Sequence, residues 1–310
     1  MAGPRILVVG CGFIGSHVVA ELVGRGQPPA VLTRSEPQPA LATAGLRPRI
    51  GDAASRAVVD AVLEDVEHVV YSAGGLLPAA SEEDPERDAE LTLAPIRTVL
   101  AALRERPGVG LTYLSSGGTV YGEPETVPVP EDAPANPIGA YGRLHLECED
   151  EVLREQREHG LAVRILRCAS VYGPYQEPDR GQGAATTFLH RIEAGLPIDL
   201  YGDGKSERDY VYAGDVAGVV AELAGREDGP AVLNVGSGEG TSLLDLLRAA
   251  EREVGRPAEV VTHPARGFEV RRVVLDVARL RALTGFEPTP LAEGIAHTHE
   301  WLSATARQRV

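Results

Sequence analysis

Apolar residues fall in short unbroken runs along this chain, separated by stretches with helical spacing. Ile6–Val9 reads as a buried strand, and Phe13–Gly24 after it reads as a helix. The alternation continues with Ala30–Thr33 (strand), Arg56–Leu63 (helix), His68–Tyr71 (strand) and Ala89–Arg106 (long helix). Val109–Ser115 (strand), Tyr141–His159 (helix) and Ala162–Cys168 (strand) complete it. Continuous apolar strands with helices between them predict an α/β fold, a doubly wound parallel sheet covered on both faces. After Gly173 the alternation weakens, which predicts a smaller C-terminal α/β lobe. Asp215–Ala224 is expected to return to the main sheet as a helix. The expected division is residues 1–170, with 213–235 returning to them, against residues 171–212 and 236–310. Two proline-rich loops, at 122–137 and 172–180, have the length of substrate walls or lids.

Composition narrows the function classes. The 310 residues are 43% hydrophobic and 24% charged, ample for a large core. A formal net charge of −15 argues against nucleic acid or an anionic membrane as partner. Cys11, Cys148 and Cys168 are widely spaced, with no disulfide frame, so a reducing cytoplasm is expected. The first strand begins too near the N-terminus for a signal peptide, and no run of about 18 apolar residues predicts a spanning helix. The histidines show no ligand spacing, so no metal site is expected.

The first strand-to-helix turn reads Gly10-Cys11-Gly12-Phe13-Ile14-Gly15. A Gly-x-Gly-x-x-Gly string in that context is the fingerprint of a Rossmann-type dinucleotide site. Gly10 permits the tight turn, Gly12 lets a pyrophosphate approach, and Gly15 lets helix and strand pack closely. The helix N-terminus supplies N–H groups and partial positive charge to the phosphates. The second strand ends in Thr33-Arg34-Ser35, with no acid before Glu36. A carboxylate there would bind the 2′-hydroxyl of NAD, whereas Arg34 suits the 2′-phosphate of NADP. NADP(H) is therefore favoured, with NAD as the alternative. Asp52 and Ala53 are assigned to the adenine end, and Ser72-Ala73-Gly74, ending the fourth strand, to the ribose.

Further along stands Leu114-Ser115-Ser116-Gly117-Gly118-Thr119-Val120-Tyr121-Gly122, with Tyr141 opening the next helix. Val171-Tyr172-Gly173-Pro174, Tyr201-Gly202-Asp203-Gly204, Arg208-Asp209-Tyr210-Val211-Tyr212 with Asp215, and Asn234-Val235-Gly236-Ser237-Gly238 follow. As a set these resemble the extended short-chain dehydrogenase/reductase family of nucleotide-sugar epimerases, dehydratases and 4-ketoreductases, over nearly the whole chain. The resemblance implies that Tyr141 gives or takes the proton at the sugar carbon that exchanges hydride. It implies that Arg208 and Arg266 clamp a substrate diphosphate, bidentate pairs that let an acidic protein bind a dianion. Tyr201 and Ser170 are assigned to the substrate side, Ser170 standing where many relatives carry asparagine. The family's Ser/Thr partner of the reacting oxygen aligns with Gly117, so Thr119 or Ser116 must substitute. A homodimer through the helix after Tyr141 is implied on the same basis.

The largest departure is His145, where the family carries a lysine that binds the nicotinamide ribose and lowers the tyrosine pKa. Spacing i,i+4 keeps Tyr141 and His145 on one helix face, so the ribose contact can survive. A histidine mostly neutral near pH 7 supplies less of the positive charge that favours tyrosinate. Oxidising an alcohol needs tyrosinate as base, while reducing a ketone needs neutral tyrosine as acid. The expectation is an NADPH-dependent ketoreductase of a nucleotide-linked keto-sugar. The alternatives are an NAD-dependent 4-epimerase, a ketoreductase of a secondary-metabolite ketone, and a catalytically silent dinucleotide-binding protein.

Overall fold

The computed structural model describes residues 5–34, 45–178, 183–265 and 270–308. Arg266, Ser35 and Glu36 lie outside them. The main sheet has seven parallel strands: β1 (Ile6–Val9), β2 (Ala30–Thr33), β3 (Arg49–Ile50), β4 (His68–Tyr71), β5 (Gly110–Ser116), β6 (Val163–Cys168) and β10 (Val232–Val235). Their order is β10-β6-β5-β4-β1-β2-β3, so the winding reverses between β1 and β4. In open α/β sheets ligands bind beyond the carboxyl ends of strands at such a switch point.

The strands are apolar throughout because both faces are covered. In β1, Ile6 and Val8 join one core and Leu7 and Val9 the other. The helices Phe13–Gly24 and Ala213–Leu223 pack against the first face through Val18, Leu22, Val216 and Val220. Pro85–Arg104 and Ala140–His159 cover the second through Ile96, Leu100, Leu144 and Val152. Burying each such side chain stabilises the fold by about 1.5–3 kcal/mol, and this fixes the strand register that sets the site.

The predicted Ala89–Arg106 helix begins four residues earlier. Asp84 accepts a 3.0 Å hydrogen bond from the Arg87 amide, and Pro85 occupies the first turn, two start signals that outweigh the polar residues after them. The two-residue β3, exposed at both positions, had no apolar run to announce it.

Beyond Cys168 a second sheet forms from β7 (Ser170–Tyr172), β9 (Glu207–Tyr212), β11 (Gly240–Ser242) and β13 (Arg272–Val273). A two-stranded piece pairs β8 (Ile198–Tyr201) with β12 (Val260–His263). A third core, with Tyr172, Phe188, Ile192, Leu246 and Ile295, holds this part together. Among the described residues no helix is long and apolar enough to cross a membrane.

Candidate active site

The Gly10–Gly15 turn lies at the switch point, directly after β1. Gly10 has φ +94°, and a Cβ there would stand 2.5 Å from the Ala73 amide nitrogen, so only glycine lets the β1 and β4 ends approach this closely. Ser72 Oγ ties them together by donating to Gly10 O at 2.7 Å. A Cβ on Gly12 would meet nothing within 4 Å, and no side chain caps the helix that starts at Phe13. The first-turn N–H groups are thus without a side-chain cap, and the space over Gly12 is open, a setting that suits an anion. Phe13 and Ile14 are half-buried behind that opening. A cleft of about 190 Å³ continues from it, lined by Thr33, Arg34, Asp52, Ala53, Ser72, Ala73 and Gly74.

Arg34, directly after β2, is exposed and donates to Gly74 O at 3.1 Å across the cleft. It has no carboxylate partner among the described residues. Asp52 accepts from the Ala54 amide at 2.9 Å, which closes its own turn. These residues fit a nicotinamide dinucleotide. Arg34 and Asp52 would hold its adenosine end, and the Gly12–Gly15 backbone its pyrophosphate.

Tyr141 and His145 sit in the first turns of the Ala140–His159 helix, ring centroids 4.4 Å apart. Thr119 backs onto the same helix. A Cβ on Gly142 would lie 2.7 Å from Thr119 O, so helix and loop are in direct contact. Thr119 Oγ1 donates to Ser116 Oγ at 2.8 Å. Ser170 is on the same rim, its Oγ 3.8 Å from where a Gly118 Cβ would be. A serine at Gly117 is blocked, since its Cβ would stand 2.7 Å from Leu275 Cδ1 and 2.8 Å from Arg167 O. Leu275 and the Arg167 backbone occupy the room that a side chain at Gly117 would need, so Gly117 brings no hydroxyl and Ser116 and Thr119 flank it.

The electrostatics of the pair are one-sided. Burial raises the Tyr141 phenol far above its ordinary value, and the negative charge of Asp88 pushes the same way. Burial lowers His145 to about 4, with Asp88 opposing more weakly, so the ring is neutral at pH 7. Its Nδ1 is 2.9 Å from the Tyr113 hydroxyl. Asp88 itself is 1% exposed. One of its oxygens accepts from the Leu76 amide at 2.7 Å and from Thr92 Oγ1 at 3.1 Å, while Oδ2 has no partner.

Sequence reasoning missed Asp88 and Tyr113. Glu131, within the proline-rich 122–137 loop, is only 8% exposed. Its Oε1 accepts from the Asn234 amide at 3.1 Å and its Oε2 pairs with Arg279 at 3.3 Å. Beneath the loop Arg167 holds Glu149, with 2.6 Å the shortest contact, and Ser115 Oγ donates to Glu149 at 2.5 Å. This buried pair braces the base of the Ser116–Thr119 segment.

On the small-lobe side Arg208 lies in β9, half-buried, and donates to Glu207 O at 3.0 Å. It pairs with no carboxylate among the described residues, so its charge is available to an anion. Tyr201, ending β8, stacks on the His263 ring with centroids 4.9 Å apart. Among the described residues there is no group of three or more His, Cys, Asp or Glu that could hold a metal ion.

Comparison with known proteins agrees with this geometry. The UDP-glucose 4-epimerase of Thermus thermophilus, solved in complex with NAD, is 32% identical, with TM-score 0.89 over 96% of this chain and 99% of that one. The Thermotoga maritima UDP-glucose 4-epimerase, solved with UDP-glucose, is 31% identical, with TM-score 0.90 over 97% and 99%. The dTDP-4-dehydro-6-deoxy-D-allose reductase of Streptomyces bikiniensis is 31% identical over 97% of this chain and 96% of its own length. The NAD dependent epimerase/dehydratase family matches residues 6–236. With a glycine turn at the switch point and a tyrosine at the head of the Ala140–His159 helix, the chain belongs to the NAD dependent epimerase/dehydratase family, as an extended short-chain dehydrogenase/reductase enzyme of the kind that acts on nucleotide sugars.

Proposed function

We propose that the protein is an NADPH-dependent ketoreductase acting on a keto group of a nucleoside-diphosphate sugar. The observation that carries this reading is the setting of Tyr141. Its phenol is pushed upward by burial and by Asp88, and the ring beside it is a neutral histidine. Such a phenol holds its proton at neutral pH and serves as an acid, which reduction of a ketone requires.

In this scheme a bound nicotinamide supplies the hydride. Tyr141 donates its proton to the carbonyl oxygen as negative charge develops there. The Ser116 hydroxyl gives a second hydrogen bond to that oxygen, its own oxygen already accepting from Thr119. His145 holds the ribose through Nε2, and Arg208 binds the diphosphate. Arg34 favours the 2′-phosphate of NADPH, its exposed fork needing only to release Gly74 O. Domain roles follow the same division: the seven-stranded sheet carries the cofactor, and the second sheet carries the sugar nucleotide. The reading includes a homodimer through the helix after Tyr141. It also includes work in the cytoplasm, where the buried thiols of Cys11, Cys148 and Cys168 stay reduced.

A second reading, a 4-epimerase using NAD, is favoured by the Thermus and Thermotoga proteins, one solved with NAD and the other with UDP-glucose. The two separate in one assay. Given NADPH and a nucleoside-diphosphate 4-keto-6-deoxy sugar, the protein should consume one cofactor per ketone; given UDP-glucose and NAD, it should form no epimer. Epimer formation without NADPH consumption overturns the ketoreductase in favour of the epimerase.

A further inference from the structure

Tyr113 lies in the middle of β5, 1% exposed, with its hydroxyl beneath the Tyr141–His145 pair. It reaches the Ala140–His159 helix at His145 Nδ1, 2.9 Å away, and has no other hydrogen-bond partner among the described residues. The phenol has one proton to give. With Nδ1 its one acceptor, the buried phenol leaves that proton unpaired unless it is donated there. Nδ1 is then an acceptor, which leaves the imidazole proton on Nε2. Nε2 has no hydrogen-bond partner among the described residues, so its proton is free for a ligand.

We infer that Tyr113 is a positioning residue that locks His145 in its Nε2–H tautomer, so that the histidine presents a hydrogen-bond donor to the cofactor ribose. A lysine at this place offers only donors. A histidine in the opposite tautomer would offer a lone pair, the reverse polarity. The Tyr113–His145 bond thus preserves the donor while giving up the charge. Burial reinforces it, because a ring held near pKa 4 does not become the doubly protonated donor at neutral pH. The role in ribose binding rests on the function proposed above, but the tautomer does not.

The test is nitrogen–proton correlation spectroscopy on protein labelled with 15N-histidine, without cofactor or substrate, with His145 assigned by the signal lost in His145→Gln. The wild type should show a single neutral Nε2–H tautomer at neutral pH. Tyr113→Phe should convert it to a mixture and weaken dinucleotide binding about three- to tenfold, the value of one ordinary hydrogen bond. A merely structural tyrosine would leave the tautomer unmoved. The inference is overturned if the wild type carries the proton on Nδ1, or if Tyr113→Phe keeps the pure Nε2–H form. Because this readout needs no turnover, a protein lacking ketoreductase activity but showing the Tyr113-dependent tautomer would sink the proposed function and leave this inference standing.

Discussion

The two ends of the cleft are built on different principles. At the dinucleotide end the work falls to backbone: Gly10 and Gly12 leave space, and an uncapped helix N-terminus faces it. At the reaction end it falls to side chains from four elements: Ser116 from β5, Thr119 from the turn after it, Tyr141 and His145 from a helix, and Asp88 from another. Backbone requirements tolerate little change, and this end keeps Gly10, Gly12 and Gly15, although Val9 stands where the family usually has the first glycine of Gly-x-x-Gly-x-x-Gly. Side-chain requirements can be met in several ways. There the family resemblance puts Gly117 where a hydroxyl is usual and His145 where a lysine is usual.

The sharpest way to break the comparison is at Tyr141. Tyr141→Phe removes the proton donor while the phenyl ring keeps its packing, and general acid catalysis is worth about 10²–10⁴-fold in rate. Reductive turnover should fall by that factor with dinucleotide affinity nearly intact. A variant with full reductase activity means the proton comes from elsewhere.

The next effect is on stability. His145 and His68 are both held neutral by burial, each lowered to about 4 from an ordinary 6.5. Each binds a proton in the unfolded chain before it does in the fold. Their contribution is therefore intact above about pH 6.5, is lost as pH falls towards about 4, and amounts to about 3 kcal/mol apiece at most. His145→Gln should lose less stability than the wild type between about pH 7 and about pH 4.5, read from urea midpoints. Parallel pH dependences would show that His145 is not held neutral.

The smallest effect is expected at the dinucleotide end. Arg34→Asp should weaken NADPH binding by one charge-assisted hydrogen bond, about 1.5–3 kcal/mol, and weaken NADH binding far less. Equal wild-type affinities for NADPH and NADH in fluorescence titration would remove Arg34 from cofactor selection.

The same contrast decides what could be read from the sequence. β1, β2 and β4 have the boundaries that their apolar runs predict, because all but the first residue of β2 are buried in these short strands. The Gly10 turn was legible because its demand is local. The Tyr113–His145 bond was not, since it joins residues 32 apart on a strand and a helix that only packing brings together. Asp88 and Glu131 look like ordinary surface acids in the sequence; their burial depends on a loop amide and on Asn234, far along the chain. The exclusion of serine at Gly117 depends on Leu275, more distant still.

The central claim is that Tyr141, with a neutral histidine where a lysine would stand, remains a protonated acid at working pH. The direct measurement is a pH titration of the tyrosine ring carbons by NMR, with Tyr141 assigned from Tyr141→Phe and repeated in His145→Lys. In the wild type the Tyr141 signal should not move between about pH 6 and about pH 9, while the lysine variant should bring its midpoint down towards neutrality. A wild-type Tyr141 that ionises near neutral pH would contradict the account and return the phenol to the role of a base.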